Sequence, residues 1–139
     1  MESTSRKLEI VDVLRQNYSV DRIAGQSLFS VGCQAIIYVR YSKDLGDQQF
    51  YFGVGERDFQ TYFGHNLFIV FVCGSVENIV VIPVEIFSAL VSGVRTAHGQ
   101  WKININIRDG RLLLRVSGRG LFDVSEFKNW FDFSPPQCR

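Results

Sequence analysis

Cysteine and proline are scarce in this chain, three of each in 139 residues, and methionine occurs once. The three cysteines, Cys33, Cys73 and Cys138, are an odd number without a CxxC spacing. That excludes a disulfide framework and a zinc ribbon, and it predicts a reduced, cytoplasmic protein. Charge of one sign is also missing. Fifteen basic residues face fourteen acidic ones, for a net charge of +1. Bulk attraction to nucleic acid or to a membrane surface is thereby excluded, and any such attraction must be local. No apolar run approaches the ~20 residues of a membrane span. The longest, NLFIVFVCGSVENIVVIPVEIF, is interrupted by Gly74-Ser75 and Glu77-Asn78. The opening MESTSRKLEIVDVL carries charges through its apolar run, which argues against a signal peptide.

Catalytic signatures are equally sparse. No GxSxG elbow occurs, and FGVGE lacks the third glycine of a dinucleotide fingerprint. His65 and His98 stand far apart without a cysteine or acid at ligand spacing, so a zinc site is not expected.

What the chain does have is apolar mass. Hydrophobic residues make up 46% and include 12 phenylalanines. A chain of this length and composition buries roughly two thirds of its unfolded surface. Residues 1–139 are expected to form one domain, with 134–139 as a frayed tail.

Periodicity predicts the elements. Ser5 to Asn17 places Leu8, Ile10, Val11 and Leu14 at helical spacing. Tyr18 to Gly25 reads as a loop or a short second helix. SLFSVGC and QAIIYVRYS read as strands, KDLGD as a turn and QQFYFGV as a third strand. The stretch from Gln34 to Val54 thus resembles two strands joined by a polar turn. GERDFQTYFG, Gly55 to Gly64, reads as a short helix with Phe59 and Phe63 on one face. LFIVFVC has the continuous apolar character of a strand buried on both faces, and NIVVI follows as another. Pro83 suits the first turn of PVEIFSALVSG. Asp109-Gly110, a favoured two-residue hairpin turn, joins two alternating runs in WKININIRDGRLLLRVS. In DVSEFKNWF, Asp123 and Glu126 have capping-box spacing for a last helix.

The fold class expected is α+β, an αβββαβ-type mixed sheet flanked by helices, with a C-terminal β-hairpin and helix. From Ser5 to Cys73 this element order resembles the restriction-endonuclease-like superfamily. Strand endings such as YSK, FYFGV and FIVFVCGS further resemble small domains of prokaryotic restriction and DNA-processing proteins. The resemblance implies DNA as partner and, in active members, Mg²⁺ held by an Asp and a Glu-x-Lys on adjacent strands. This chain departs from that pattern. QQFYFGV has neither acid nor lysine, and YVRYSK offers Arg40 and Lys43 without an acid. Asp44, Asp47, Glu56 and Asp58 are the acids from which a metal site would have to be assembled. They fall where a turn and a helix start are expected. No catalytic residue, metal ligand or cofactor is therefore assigned, with Mg²⁺ as the alternative.

The late hairpin carries the strongest local charge. Ile103, Ile105 and Ile107 alternate with Lys102, Asn104, Asn106 and Arg108. Leu112, Leu114 and Val116 alternate with Arg111, Leu113 and Arg115, and Arg119 follows. If the apolar faces agree, the opposite face is a stripe of cations and amides. Asn and Arg suit bidentate contact with base edges, and a two-stranded ribbon fits a major groove. Arg40 and Lys43, with Tyr38 and Tyr41, form a second candidate. Three functions follow: a non-catalytic DNA-binding or accessory domain, a metal-dependent nuclease, or an interaction module for a partner protein or within a larger parent chain. No membrane partner is expected.

Overall fold

The computed structural model describes residues 2–25, 27–32 and 35–130, with side chains from residue 6 onward. Cys33, Gln34, Cys138, the expected tail and Phe131, the final residue of the last expected helix, lie outside the described residues. Within them the chain is α+β, and the elements run as follows. Helix α1 (Glu2–Leu14) leads into β1 (Val20–Ala24), β2 (Leu28–Val31), β3 (Ala35–Ser42) and β4 (Gln49–Gly55). Helix α2 (Glu56–Tyr62) precedes β5 (Asn66–Cys73) and β6 (Ile79–Pro83). Helix α3 (Val84–Val91) is followed by β7 (Gln100–Arg108), β8 (Arg111–Val116), β9 (Leu121–Asp123) and a single 3₁₀ turn, η1 (Ser125–Phe127).

The strands form two sheets. A mixed five-stranded sheet has the order β1-β2-β3-β5-β6, and an antiparallel four-stranded sheet has the order β4-β7-β8-β9. β3 and β5 run parallel, from Ala35 opposite Asn66 to Ser42 opposite Cys73, and every other pairing is antiparallel. β5 lies between β3 and β6, and from Leu67 to Cys73 all of it is buried. That burial accounts for its unbroken apolar sequence.

The molecule is layered. On one face of the five-stranded sheet, Ile37, Val39, Val70, Val72 and Val81 pack against Ile10, Val11 and Leu14 of α1. Those three share a helical stripe with Lys7, at the i, i+3, i+4, i+7 spacing. Leu8, expected in the same stripe, falls outside it and is 48% exposed. On the other face, Leu67, Ile69, Phe71, Val80 and Ile82 meet the inner face of the four-stranded sheet, supplied by Phe50, Phe52, Trp101, Ile103, Ile105, Leu112 and Leu114. Phe59 of α2 and Phe87 of α3 close this second core around Trp101, with ring centroids 5.4 and 6.0 Å from it. Each buried aromatic contributes roughly 1.5–3 kcal/mol.

Two expected elements differ. Tyr18 to Gly25 contains strand β1 where a loop or short helix is expected. Only Val20 of its five residues is buried, so no apolar alternation marks it as an edge strand. The last helical segment is one 3₁₀ turn, because Asp123 caps nothing longer: its Oδ1 accepts from the Ser125 amide (3.0 Å) and hydroxyl (2.6 Å).

Candidate nucleic-acid interface

The turn at Asp109 and Gly110 has φ of +54° and +77°, the left-handed pair that a type I′ hairpin requires. It sets the β7–β8 register: Asn104 opposite Arg115, Asn106 opposite Leu113 and Arg108 opposite Arg111. The apolar faces agree, with Ile103, Ile105, Leu112 and Leu114 all inside. The opposite face is exposed to solvent or half-buried.

This hairpin is not an isolated ribbon. β4 pairs with its outer side and β9 with the other. Strands lie ~4.8 Å apart, so four span roughly 14 Å before side chains are counted. That exceeds the ~12 Å width of a major groove, and the ribbon-in-groove geometry expected from the sequence is ruled out. The face is a platform instead. One row across it reads Tyr51, Asn104, Arg115, Leu121; the next reads Gln49, Asn106, Leu113, Asp123. Lys102, opposite Gly53, holds its ammonium 5.7 Å from the centroid of the Tyr51 ring.

The cations of the stripe divide by partner. Arg111 donates from Nε (3.0 Å) and Nη2 (2.8 Å) to Oδ2 of Asp123. The Ser125 hydroxyl and amide, with Arg111, pull the Asp123 carboxyl down to about 2. Arg108 bonds the backbone carbonyls of Asp47 and Ile107, holding the turn after β3 against β7. Arg119 donates to the Ser92 carbonyl at 2.7 Å, behind α3. These three arginines bind the protein to itself. Arg115 and Lys102 form no ion pair among the described residues, and Arg115 is exposed.

Arg40 and Lys43 do not join this face. The stretch Gln34–Val54 looks like a hairpin, yet β3 and β4 belong to different sheets. They meet through side chains, one face of the interior strand β3 against the edge strand β4. Tyr38, Arg40 and Ser42 point to one side of β3 and reach the unpaired backbone edge of β4. The Gly55 amide donates to the Tyr38 hydroxyl (3.2 Å), Arg40 Nε donates to the Gly53 carbonyl (2.8 Å), and the Tyr51 amide donates to Ser42 Oγ (3.0 Å). Period two on one strand thus matches period two on the other, and the clasp satisfies an edge that would otherwise be open. Arg40 also lies over the Tyr38 ring, 5.4 Å from its centroid. Lys43 is exposed beyond the clasp.

The four acids considered for a metal site divide between the turn after β3 and helix α2 and do not converge. Asp44 bonds the Gly46 amide of its own turn (2.8 Å), and Asp47 lies in that turn with φ +54°. Glu56 accepts from the Thr96 hydroxyl (3.3 Å), and Asp58 accepts from the Tyr38 hydroxyl (3.3 Å). Among the described residues no three His, Cys, Asp or Glu side chains come together in a group that could hold a metal ion.

Two features escaped the sequence reading. Tyr51 alternates with Phe50 and Phe52, so its outward placement was available from the period of QQFYFGV. The cluster of Lys7, Ser27, Tyr38, Arg40 and Asp58 joins α1, the turn before β2, β3 and α2, and had no local signal.

Comparison with protein-family models, with curated proteins and with solved structures finds no match. The fold and its open face therefore define the class: an α+β protein of two packed sheets, one with a polar outer surface. No helix among the described residues is long and apolar enough to cross a membrane.

Proposed function

We propose that this chain is a non-catalytic, cytoplasmic nucleic-acid-binding or accessory module of a prokaryotic restriction, defence or DNA-processing system, and that it holds an unpaired DNA strand on the outer face of its four-stranded sheet. The observation that carries this reading is the row Tyr51, Asn104, Arg115 with Lys102 beside the ring. An exposed aromatic offers a base a stacking surface, two cations neutralise phosphates, and the amides supply donors and acceptors to base edges. The restriction-endonuclease-like resemblance lends its element order alone: the three strands that carry it are β2, β3 and β4, and β4 lies in the second sheet, so they do not form one meander. The scattering of Asp44, Asp47, Glu56 and Asp58 favours binding over metal-dependent cleavage.

The test is a titration of labelled oligothymidylate and of duplex DNA, across a salt series. Single-strand binding that neutralises two phosphates should show a slope of log K against log salt of about −1.4. Lys102→Ala with Arg115→Ala should abolish that slope, and Tyr51→Ala should cost about 1–3 kcal/mol of binding. Equal affinity of the wild type and the double variant at low salt contradicts the assignment.

A second reading, an interaction module, rests on Phe63 and Ile86. They are 48% and 41% exposed, at the C-cap of α2 and on α3, helices joined through the Phe59–Phe87 contact. Light scattering that shows self-association lost in Phe63→Ser with Ile86→Ser supports it; a monomer at all concentrations counts against a self-assembly role.

A further inference from the structure

Outside the sheet face, two cations converge on one hydroxyl. Lys7 of α1 donates from Nζ to Ser27 Oγ at 3.0 Å, and Arg40 of β3 donates from Nη1 to the same oxygen at 3.3 Å. Neither has an ion-pair partner among the described residues. A serine oxygen that accepts twice has used both lone pairs, so its own proton remains to be donated. Among the described residues the Ser27 hydroxyl donates no hydrogen bond of its own. Arg40 spends Nε on Gly53 and one Nη1 bond on Ser27, which leaves further guanidinium donors. Ser27, Arg40, Tyr38 and Asp58 line a cavity of about 180 Å³, many times the ~10–15 Å³ that admits one water. Burial first, and then the charge of Arg40, lower the Lys7 pKa.

We propose that this cavity is a phosphate-group site, in which Arg40 and the Ser27 hydroxyl of its wall donate to the oxygens of a phosphate or phosphomonoester, with the Lys7 ammonium, bonded to Ser27 Oγ beside that wall, as the second positive charge. A guanidinium and a hydroxyl on the wall and an ammonium that meets them at Ser27 Oγ bring two positive charges to the site, the complement of a dianionic oxyanion. Asp58, held by the Tyr38 hydroxyl on another wall, is an acceptor. It would repel a second anion and take a hydroxyl of the ligand's ester portion. The source of the phosphate group is a small phosphate ester or the 5′ end of a strand. The site is independent of the sheet face, since it uses neither Lys102 nor Arg115.

The experiment is calorimetry of inorganic phosphate binding to the full chain in chloride buffer. Arg40 also bonds the β4 edge, so its removal perturbs the fold; Lys7→Gln and Ser27→Ala are the informative variants. Wild-type protein should bind one phosphate. Lys7→Gln should weaken it roughly 10- to 100-fold, as loss of the second positive charge implies. Ser27→Ala should weaken it less, and Lys102→Ala with Arg115→Ala should leave it unchanged. That last variant separates this site from the sheet face, whose strand binding it is expected to remove. No phosphate binding by the wild type, or binding unaltered in both pocket variants, overturns the proposal. A 5′-phosphorylated trinucleotide that displaces phosphate where the 5′-hydroxyl form does not supports a strand end as the source. Displacement by glycerol phosphate but by neither trinucleotide supports a small ester.

Discussion

Single residues in this protein have roles that their type alone does not reveal. Asp123 shows this. Its carboxyl is held at about 2, below the ordinary 3.8, first by the Ser125 hydroxyl and amide and then by Arg111. A carboxyl whose folded pKa is depressed adds stability above its unfolded pKa, and that contribution is lost as pH falls from about 3.8 through about 2. A pH titration of the Asp123 carboxyl carbon by NMR should report the low value. Ser125→Ala should raise it more than Arg111→Ala; the reverse order contradicts this assignment of causes. Cys73 is the opposite case. Burial in β5 pushes its thiol up to about 12, so at pH 8 it is protonated and shielded. Iodoacetamide should leave the Cys73 peptide unmodified in folded protein and alkylate it in urea, as read by mass spectrometry. Labelling at equal rates in both states would place Cys73 outside the core.

At the scale of elements, the junction of β3 and β4 decides how the sheets are held. Arg40 looks like a surface cation in YVRYSK, yet its Nε–Gly53 bond is one of three that fix the β4 edge. Arg40→Leu should cost about 1.5–3 kcal/mol, the range for hydrogen bonds made by a charged group, as measured by urea unfolding. Strand binding to the folded variant should be retained. A variant as stable as the wild type would mean that the clasp carries no weight.

The same junction explains what was legible in the sequence. The β7–β8 register was readable because alternation and the Asp-Gly turn agree, and both are local. β5 was readable because a strand covered on both faces has no polar positions. The partner of β4 was not readable: QQFYFGV has the same alternation whether it pairs with β3 or with β7, and the choice lies with residues fifty positions away. β1 was missed because an edge strand with one buried residue has no periodic signal. The pairing of Arg111 with Asp123, which removes one cation from the stripe, depends on β9 closing beside β8. For the same reason the cations on the open face were overcounted at the sequence level.

For the whole molecule, the layers α1, five-stranded sheet and four-stranded sheet bury the apolar sheet faces between them and leave the polar outer face of the four-stranded sheet to solvent. Val70 lies at the middle of β5, an interior strand of the five-stranded sheet, and is fully buried. Val70→Asp should abolish folding, because an unpaired buried charge costs several kcal/mol, a large part of a domain's stability. A cooperative melt near the wild-type temperature would sink this layer assignment. The central claim is that the outer face of the four-stranded sheet binds a nucleic-acid strand. Amide chemical-shift mapping during titration with oligothymidylate tests it most directly. The account predicts shifts that saturate together at Tyr51, Lys102, Asn104, Asn106 and Arg115, with Ile10, Val11 and Leu14 of α1 unmoved. Shifts confined to α1, to α2 and α3, or absent at saturating strand concentration would contradict it.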